Sequence, residues 1–134
     1  MLNREVWGFV AGIIWKRPNG EIDDSEYQER WTVSNERIVQ YLPDGIRSAL
    51  ALSAEVIDGP STLEVCAADL RDVWVRSGGR IWPEETRCHD ESVQIELSID
   101  ENTDPTKVTQ DFAEKLYFSV GIKLRNNAQD SNST

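Results

Sequence analysis

The sequence of 134 residues is long enough for one domain, and its 39% hydrophobic and 28% charged residues are typical of a globular fold. The formal net charge of −10 argues against direct binding of DNA or RNA, because phosphate contacts require lysine and arginine. The longest apolar run, residues 6–15, is too short to span a bilayer, and the N-terminus lacks the pattern of a signal peptide. We therefore expect a cytoplasmic protein that does not bind a membrane.

The N-terminal part of the chain predicts an antiparallel hairpin. Residues 6–16 carry apolar side chains on both faces of a predicted strand, which is typical of a covered strand. Gly8 and Gly12 within it indicate a bulge or the close approach of another element. Residues 17–20, Arg-Pro-Asn-Gly, predict a turn. Residues 27–34 then alternate between apolar and polar side chains and predict the second strand.

Three helical segments are predicted in the middle of the chain. The first begins at a Ser34-Asn35 cap and ends at Pro43. The second runs from Ile46 to about Ile57 in an alanine-rich stretch that is also compatible with a buried strand. The third follows a capping box at residues 61–64 and has apolar residues at helical spacing: Leu63, Cys66, Ala67, Leu70, Val73 and Trp74. This interpretation places Cys66 in the core, whereas Cys88 lies in a polar loop and is expected to be more exposed.

The C-terminal part predicts a strand, a helix and a return strand. Apolar residues alternate with polar ones between Ser92 and Ile99. Asp104-Pro105 has the form of a helix start, and apolar residues recur at helical spacing as far as Val120. Residues 122–124 alternate again and predict a short strand. Residues 126–134 are small and polar, and predict a disordered tail.

Together these elements predict an α+β fold in a single domain, residues 1–125. The N-terminal antiparallel hairpin and the C-terminal strand–helix–strand would form a mixed or antiparallel sheet, with about three helices packed on it.

One loop contains the only histidine of the chain beside a thiol, in Cys88-His89-Asp90-Glu91. Neighbouring side chains in an extended loop point in opposite directions, so Cys88 and His89 would not pair directly. The whole chain has only two cysteines and one histidine, too few for a structural zinc site. We therefore expect a solvated loop here.

Four oxygen-bearing residues have the spacing of a calcium loop: Asp100, Asn102, Asp104 and Asp111. Pro105 stands where the turn of such a loop needs glycine, so helix capping explains these residues better. Phosphate-binding loops and the common hydrolase motifs are absent from the sequence. The sequence therefore predicts no metal, no cofactor and no catalytic residue, and a protein that is not an enzyme.

Five tryptophans are a high number for this length. Trp7, Trp15 and Trp74 lie on predicted apolar faces, so we expect them in the core. Trp31 and Trp82 are the better candidates for a surface that binds a partner, because tryptophan is enriched at interfaces.

Acidic residues concentrate between Glu84 and Asp104, where eight acidic side chains stand against one base, Arg87. Such self-repulsion destabilises a fold unless it is offset, and a basic partner would relieve it and be steered towards it. The expected partner-binding residues are Trp31, Trp82, Glu84, Glu85, Asp90, Glu91, Glu96, Asp100 and Glu101.

The leading hypothesis is a small acidic cytoplasmic protein that inhibits or neutralises a basic protein, such as a toxin, a nuclease or a nucleic-acid-binding enzyme. Immunity proteins and nucleic-acid mimics have this general size and charge, which is an analogy at the level of fold and charge. Two alternatives stay open. One is a small-ligand-binding protein or enzyme with a pocket between sheet and helices, and the other is a subunit of a homo-oligomeric assembly or an adaptor. The sequence leaves the oligomeric state open.

Overall fold

A computed structural model of the chain describes residues 5–17, 30–57, 59–78 and 83–124. The elements are β1 Ile14–Arg17, β2 Arg30–Ser34, α1 Asn35–Val56, β3 Ser61–Ala67, β4 Val73–Gly78, β5 Pro83–Arg87, β6 Val93–Ile99 and α2 Pro105–Ser119. Neither helix in these ranges is long and apolar enough to cross a membrane.

The strands form two sheets. The first is a mixed sheet in the order β1-β2-β4-β5, in which β2 and β4 are parallel and the other two pairs are antiparallel. The second sheet consists of β3 and β6, which pair antiparallel from Ser61 opposite Ile99 to Ala67 opposite Val93. The predicted α+β class, the N-terminal antiparallel hairpin and a mixed sheet are therefore confirmed.

The core lies between the two helices and the covered faces of the sheets. The helices contribute apolar stripes at helical spacing: Ile38, Leu42 and Ile46 from α1, and Val108, Phe112 and Leu116 from α2. The strands contribute Val33, Val73, Val75 and Val93. Burial of each such side chain stabilises the fold by about 1.5–3 kcal/mol relative to its exposure. Apolar burial is therefore what holds the helices on the sheets.

The two helical segments predicted on either side of Pro43 are one continuous helix, α1. A proline inside a helix removes one backbone hydrogen bond and costs about 3 kcal/mol. The burial of Leu42 and Ile46, which flank Pro43, offsets this cost. The predicted interruption was wrong because the apolar stripe continues through the proline.

The third predicted helix does not exist, since its residues form β3 and β4. The apolar residues of this segment fit both a helical spacing and a strand alternation. In the structure they form a strand, in which Leu63, Val65 and Ala67 face the core and the residues between them are exposed. The backbone of β6 also needs hydrogen-bond partners, and β3 supplies them along its whole length. The expectation of about three helices was therefore wrong, and the described residues contain two.

The first strand begins at Ile14 rather than at Val6. The preceding residues lie against α1, where Nη1 of Arg37 donates to the carbonyl of Gly12 at 3.0 Å. A Cβ on Gly45 would collide with Cγ2 of Val10, so this glycine lets the N-terminal segment approach the helix. Gly12 has a φ of 92°, a conformation that glycine adopts readily. The close approach predicted from the glycines is therefore found at Gly12.

The strand and helix predicted near the C-terminus are confirmed as β6 and α2. The side chain of Asp104 caps α2 by accepting from the N–H of Thr106 at 3.0 Å, and Pro105 is the first helical residue. The return strand predicted at residues 122–124 is absent, because the N–H of Ile122 bonds back to the carbonyl of Tyr117 and extends the helix end. The predicted tail, residues 126–134, lies outside the described residues.

The side chain of Tyr117 joins three elements inside the fold. It is 1% exposed. Its hydroxyl accepts from the N–H of Asn35 at 2.8 Å, where α1 begins, and donates to the carbonyl of Arg76 in β4 at 2.5 Å. Desolvation by burial raises the pKa of Tyr117, so the hydroxyl keeps its proton and remains a donor at neutral pH.

Replacing Tyr117 with phenylalanine should lower the free energy of unfolding by about 1–3 kcal/mol, because a buried N–H and a buried carbonyl lose their partner. Urea denaturation measures the change. The matched control is Tyr41→Phe, which removes an exposed hydroxyl from α1 and should change stability by less than about 0.5 kcal/mol. Equal stability of the two variants would contradict this role of Tyr117.

Candidate functional site

The predicted partner-binding residues do not form one patch. Glu84 and Glu85 lie on β5, Asp90 and Glu91 in the loop before β6, Glu96 in the middle of β6, Asp100 and Glu101 in the turn after it, and Trp31 on β2. Because β6 has seven residues, the loops at its two ends are about 20 Å apart. Trp82 lies outside the described residues. Of this set, the structure brings together Trp31 and Glu91 around one depression.

This depression is open and has a volume of about 550 Å³. Its lining residues are Ile14, Trp31, Asp69, Arg71, Asp72, Val73 and Glu91, and we call it the Trp31 depression. The apolar side chains come from β1, β2 and β4, and the charged ones come from the β3–β4 loop and the loop before β6. The site therefore combines an apolar surface from one sheet with charges from loops.

Trp31 is exposed because the packing that covers its sheet face ends before reaching it. Trp31 and Val33 are two residues apart on β2, so their side chains point to the same face. Val33 is 2% exposed, whereas Trp31 is 51% exposed. Tryptophan is enriched at protein interfaces relative to the rest of the surface, so Trp31 is a candidate contact residue.

The β3–β4 loop is positioned by Leu70, which is 1% exposed. The N–H of Leu70 donates to the carbonyl of Glu91 at 2.9 Å, and its carbonyl accepts from the N–H of Val73 at 3.0 Å. Asp69 has a φ of 57°, the left-handed conformation that aspartate tolerates better than most residues. The insertion of Leu70 into the core thus places its neighbours, Asp69 and Arg71, at the depression.

Two of the three carboxylates at the depression are paired with arginine. Arg71 Nη2 lies 2.6 Å from Glu91 Oε1, and Arg87 Nη2 lies 2.6 Å from Asp72 Oδ1. These pairs are exposed, so they add little stability and mainly fix the side chains. Asp69 makes no hydrogen bond or ion pair with any residue that the structure describes. Its charge is therefore the one that is not neutralised locally.

A pair of like charges lies on the outer face of the two-stranded sheet. Glu64 of β3 stands directly opposite Glu96 of β6, and both side chains are exposed. Neither carboxylate has a cationic partner in the described part of the chain. Like charges directly opposite each other in a sheet are destabilising. The face therefore holds negative charge that the described residues leave uncompensated.

Four residues of these two features were not predicted from the sequence: Glu64, Asp69, Arg71 and Asp72. All four lie in the segment predicted as the third helix. The alternation of residues 61–67, followed by Asp-Leu-Arg-Asp and then Val-Trp-Val, is the pattern of two strands joined by a turn and was available in the sequence.

The two cysteines are placed opposite to expectation. Cys66 is exposed on the outer face of β3, whereas Cys88 is 2% exposed and donates its backbone N–H to the carbonyl of Val73. Both predictions were wrong because Cys66 lies on a strand, not a helix, and Cys88 extends β5 into the core. Desolvation by burial, followed by the charge of Asp90, raises the pKa of the Cys88 thiol. A protonated thiol is a much weaker nucleophile than a thiolate, so burial lowers the reactivity of Cys88.

The calcium-like spacing near the start of α2 has local structural roles. Asp100 Oδ1 accepts from the N–H of Asn102 at 2.8 Å, and Asp111 binds Nζ of Lys107 at 2.8 Å. Asp104 caps the helix. Among the described residues, no group of three or more His, Cys, Asp or Glu side chains is arranged to hold a metal ion.

The described tryptophans differ in exposure. Trp7 is 83% exposed, so the prediction that it lies in the core was wrong. The N-terminal segment lies on the outer surface of α1, not between the helices and the sheets. Trp15 is partly buried beneath the guanidinium of Arg37, which lies 4.1 Å from the ring centre. Trp74 is partly buried on β4. Trp31 is exposed, as predicted.

No family model, curated protein or solved structure matches this chain. The Trp31 depression, through Asp69, and the Glu64–Glu96 pair each present to solvent a carboxylate that makes no ion pair with the described residues. Such a surface complements positive charge.

Cysteine accessibility provides a direct check of these positions. In the native protein, iodoacetamide should modify Cys66 rapidly and Cys88 only after unfolding, because the Cys88 thiol is buried and its pKa is raised. Mass spectrometry of the labelled peptides measures both rates. The control is Cys66→Ser, which should show no rapid modification in the native state. Rapid labelling of this variant would contradict the buried position of Cys88.

Glu96→Lys should raise the free energy of unfolding by about 0.5–1.5 kcal/mol at low salt, because it converts a repulsive cross-strand pair into an attractive one. The control Glu101→Lys changes net charge equally but does not stand opposite a carboxylate, so its effect should be smaller. Combining Glu96→Lys with Glu64→Lys restores repulsion and should remove the gain. Urea denaturation of the four proteins measures these differences, and a double variant as stable as Glu96→Lys would refute the pairing.

Proposed function

We propose that this protein binds and neutralises a basic protein. The observation that carries the proposal is the Trp31 depression, which is lined both by a half-exposed aromatic ring and by Asp69, a carboxylate that makes no ion pair with the described residues. Interfaces between proteins are typically centred on such aromatic anchors and bordered by polar and charged groups. The depression would bind the partner, and its charge would select a basic one.

The overall charge of the protein supports the same proposal. A net charge of −10 produces a long-range field that accelerates the approach of a basic protein. The repulsion between Glu64 and Glu96 costs stability in the free protein, and a cationic group from a partner would relieve it. The face of the two-stranded sheet that carries Glu64 and Glu96 would therefore contribute long-range electrostatic attraction. The Trp31 depression would make the specific contacts.

Neutralisation follows from binding when the basic surface of the partner is also its functional surface. Enzymes that act on nucleic acid bind phosphate groups through lysine and arginine. A protein that covers those side chains excludes nucleic acid from them. The proposed partner is therefore a nuclease, a toxin or another enzyme that acts on nucleic acid.

The test starts with the full-length protein as bait in a lysate of the source cells at low salt, followed by purification of the captured protein. The dissociation constant, measured by calorimetry, should rise at least about tenfold between about 50 and 500 mM NaCl, because exposed charge interactions are screened. Nucleic acid should compete with the bait for the captured protein. An affinity that does not change with salt, or a captured protein that is not basic, would overturn the proposal.

Matched tryptophan variants serve as control baits in this experiment. Trp31→Ala should lose most of the captured protein, because the exposed ring at the depression is removed. Trp7→Ala removes another exposed tryptophan, 83% exposed, from outside the depression and should capture as the wild type does. Equal capture by both variants would remove the depression from the proposal.

A further inference from the structure

We infer that the Trp31 depression holds a single arginine side chain of the partner, with its guanidinium stacked on the Trp31 ring and ion-paired with Asp69. This inference rests on the proposed function and names the chemical group that the site recognises. It follows from the number of free charges, from the shape of the cation and from the apolar lining.

The described residues that line the depression leave one carboxylate for an additional cation. Glu91 is already paired with Arg71, and Asp72 is paired with Arg87, each at 2.6 Å. Asp69 alone has no hydrogen bond or ion pair with the described residues. A second cation would have to displace an arginine from an existing pair. The site therefore matches one positive charge.

A guanidinium fits this environment better than an ammonium does. It is planar and weakly hydrated, so its face can stack on an aromatic ring while its edge donates two parallel N–H groups to one carboxylate. An ammonium is strongly hydrated and would lose water beside the apolar Ile14, Trp31 and Val73. The chain already contains one such stack, in which Arg37 lies 4.1 Å from the ring centre of Trp15.

The apolar residues on either side of Trp31 suit the stem of an arginine. Val73 stands directly opposite Trp31 on β4, and Ile14 comes from β1 on the other side of β2. The methylene groups of arginine can pack on such surfaces while the charged end reaches a carboxylate. Lys16, opposite Trp31 on β1, does not line the depression. The site is therefore open to a side chain that enters from a partner's surface.

The experiment uses three short capped peptides of glycine and one central residue: arginine, lysine or the neutral isostere citrulline. They are titrated into the isotopically labelled full-length protein, and the indole N–H resonance of Trp31 is followed by NMR. The arginine peptide should shift this resonance saturably, the lysine peptide should bind at least about threefold more weakly, and citrulline should not bind measurably. Equal responses to arginine and lysine would overturn the inference.

Variants of the aspartate separate specific pairing from general charge. Asp69→Asn should weaken binding of the arginine peptide about tenfold, because the variant loses a charge-assisted hydrogen-bonded pair. A tenfold change in the dissociation constant corresponds to about 1.4 kcal/mol of binding free energy. Asparagine tolerates the left-handed backbone at this position, so the fold should be retained. The control Asp90→Asn removes a nearby exposed carboxylate that does not line the depression and should bind as the wild type does.

The outcomes distinguish this inference from the proposed function. Equal binding of the arginine peptide by Asp69→Asn and by the wild type would overturn the inference. If, in addition, a captured basic protein binds with strong salt dependence, the proposed function stands and only the arginine site fails. If neither the peptide nor any basic protein binds, both fail.

Discussion

The hydrogen bond from the N–H of Leu70 to the carbonyl of Glu91 joins the two sheets at the point where the chain passes from one to the other. Leu70 lies between β3, in the two-stranded sheet, and β4, in the four-stranded sheet, and its side chain is buried in the shared core. Because Glu91 lies two residues before β6, this contact ties the loop that leads into β4 to the loop that leads into β6. The Trp31 depression forms at the same place, so its geometry depends on a core residue rather than on a flexible loop.

Folding and the proposed binding rest on different interactions in this protein. The core consists of apolar side chains from both helices and both sheets, whereas the ion pairs in the described residues are exposed and contribute little to stability. Carboxylates without structural contacts can therefore be changed with little risk to the fold, which excludes Asp100 in the turn before α2 and Asp104 at its cap. Glu85 is partly buried and accepts from the hydroxyl of Thr32, and Glu91 is paired with Arg71. Substitution of these two residues would alter structure as well as charge.

The sequence specified the fold where local signals and tertiary packing agree. The alternation of β6 and the Asp104-Pro105 start of α2 are local, and both predictions were correct. Residues 61–74 carry a helical spacing and a strand alternation at once, and only the pairing with β6, about thirty residues further along the chain, decides between them. Pro43 is a similar case. Proline locally favours the end of a helix, but the burial of Ile46, beyond the proline, favours continuation of α1.

The candidate site was only partly predictable for a related reason. Trp31 and Glu91 were identified, but they are sixty residues apart, and Asp69 reaches them only because its segment is a loop rather than a helix. The packing of the helices decides which end of an apolar sheet face stays uncovered. The alternation of apolar and polar residues along a strand does not encode that packing. Val33 and Trp31 are equivalent in the alternation and differ in exposure from 2% to 51%.

The Glu64–Glu96 pair also bears on the protection of strand edges. The two-stranded sheet has open edges within the described residues, and charged side chains on edge strands discourage pairing with other chains. One carboxylate in each strand would serve that purpose at any register. Placing the two directly opposite each other adds repulsion within the protein and gives no further protection between proteins. The apolar pairs on either side, Leu63 opposite Leu97 and Val65 opposite Ile95, pack against the core and fix this register, so the repulsion between the two carboxylates is a cost that the core alignment imposes.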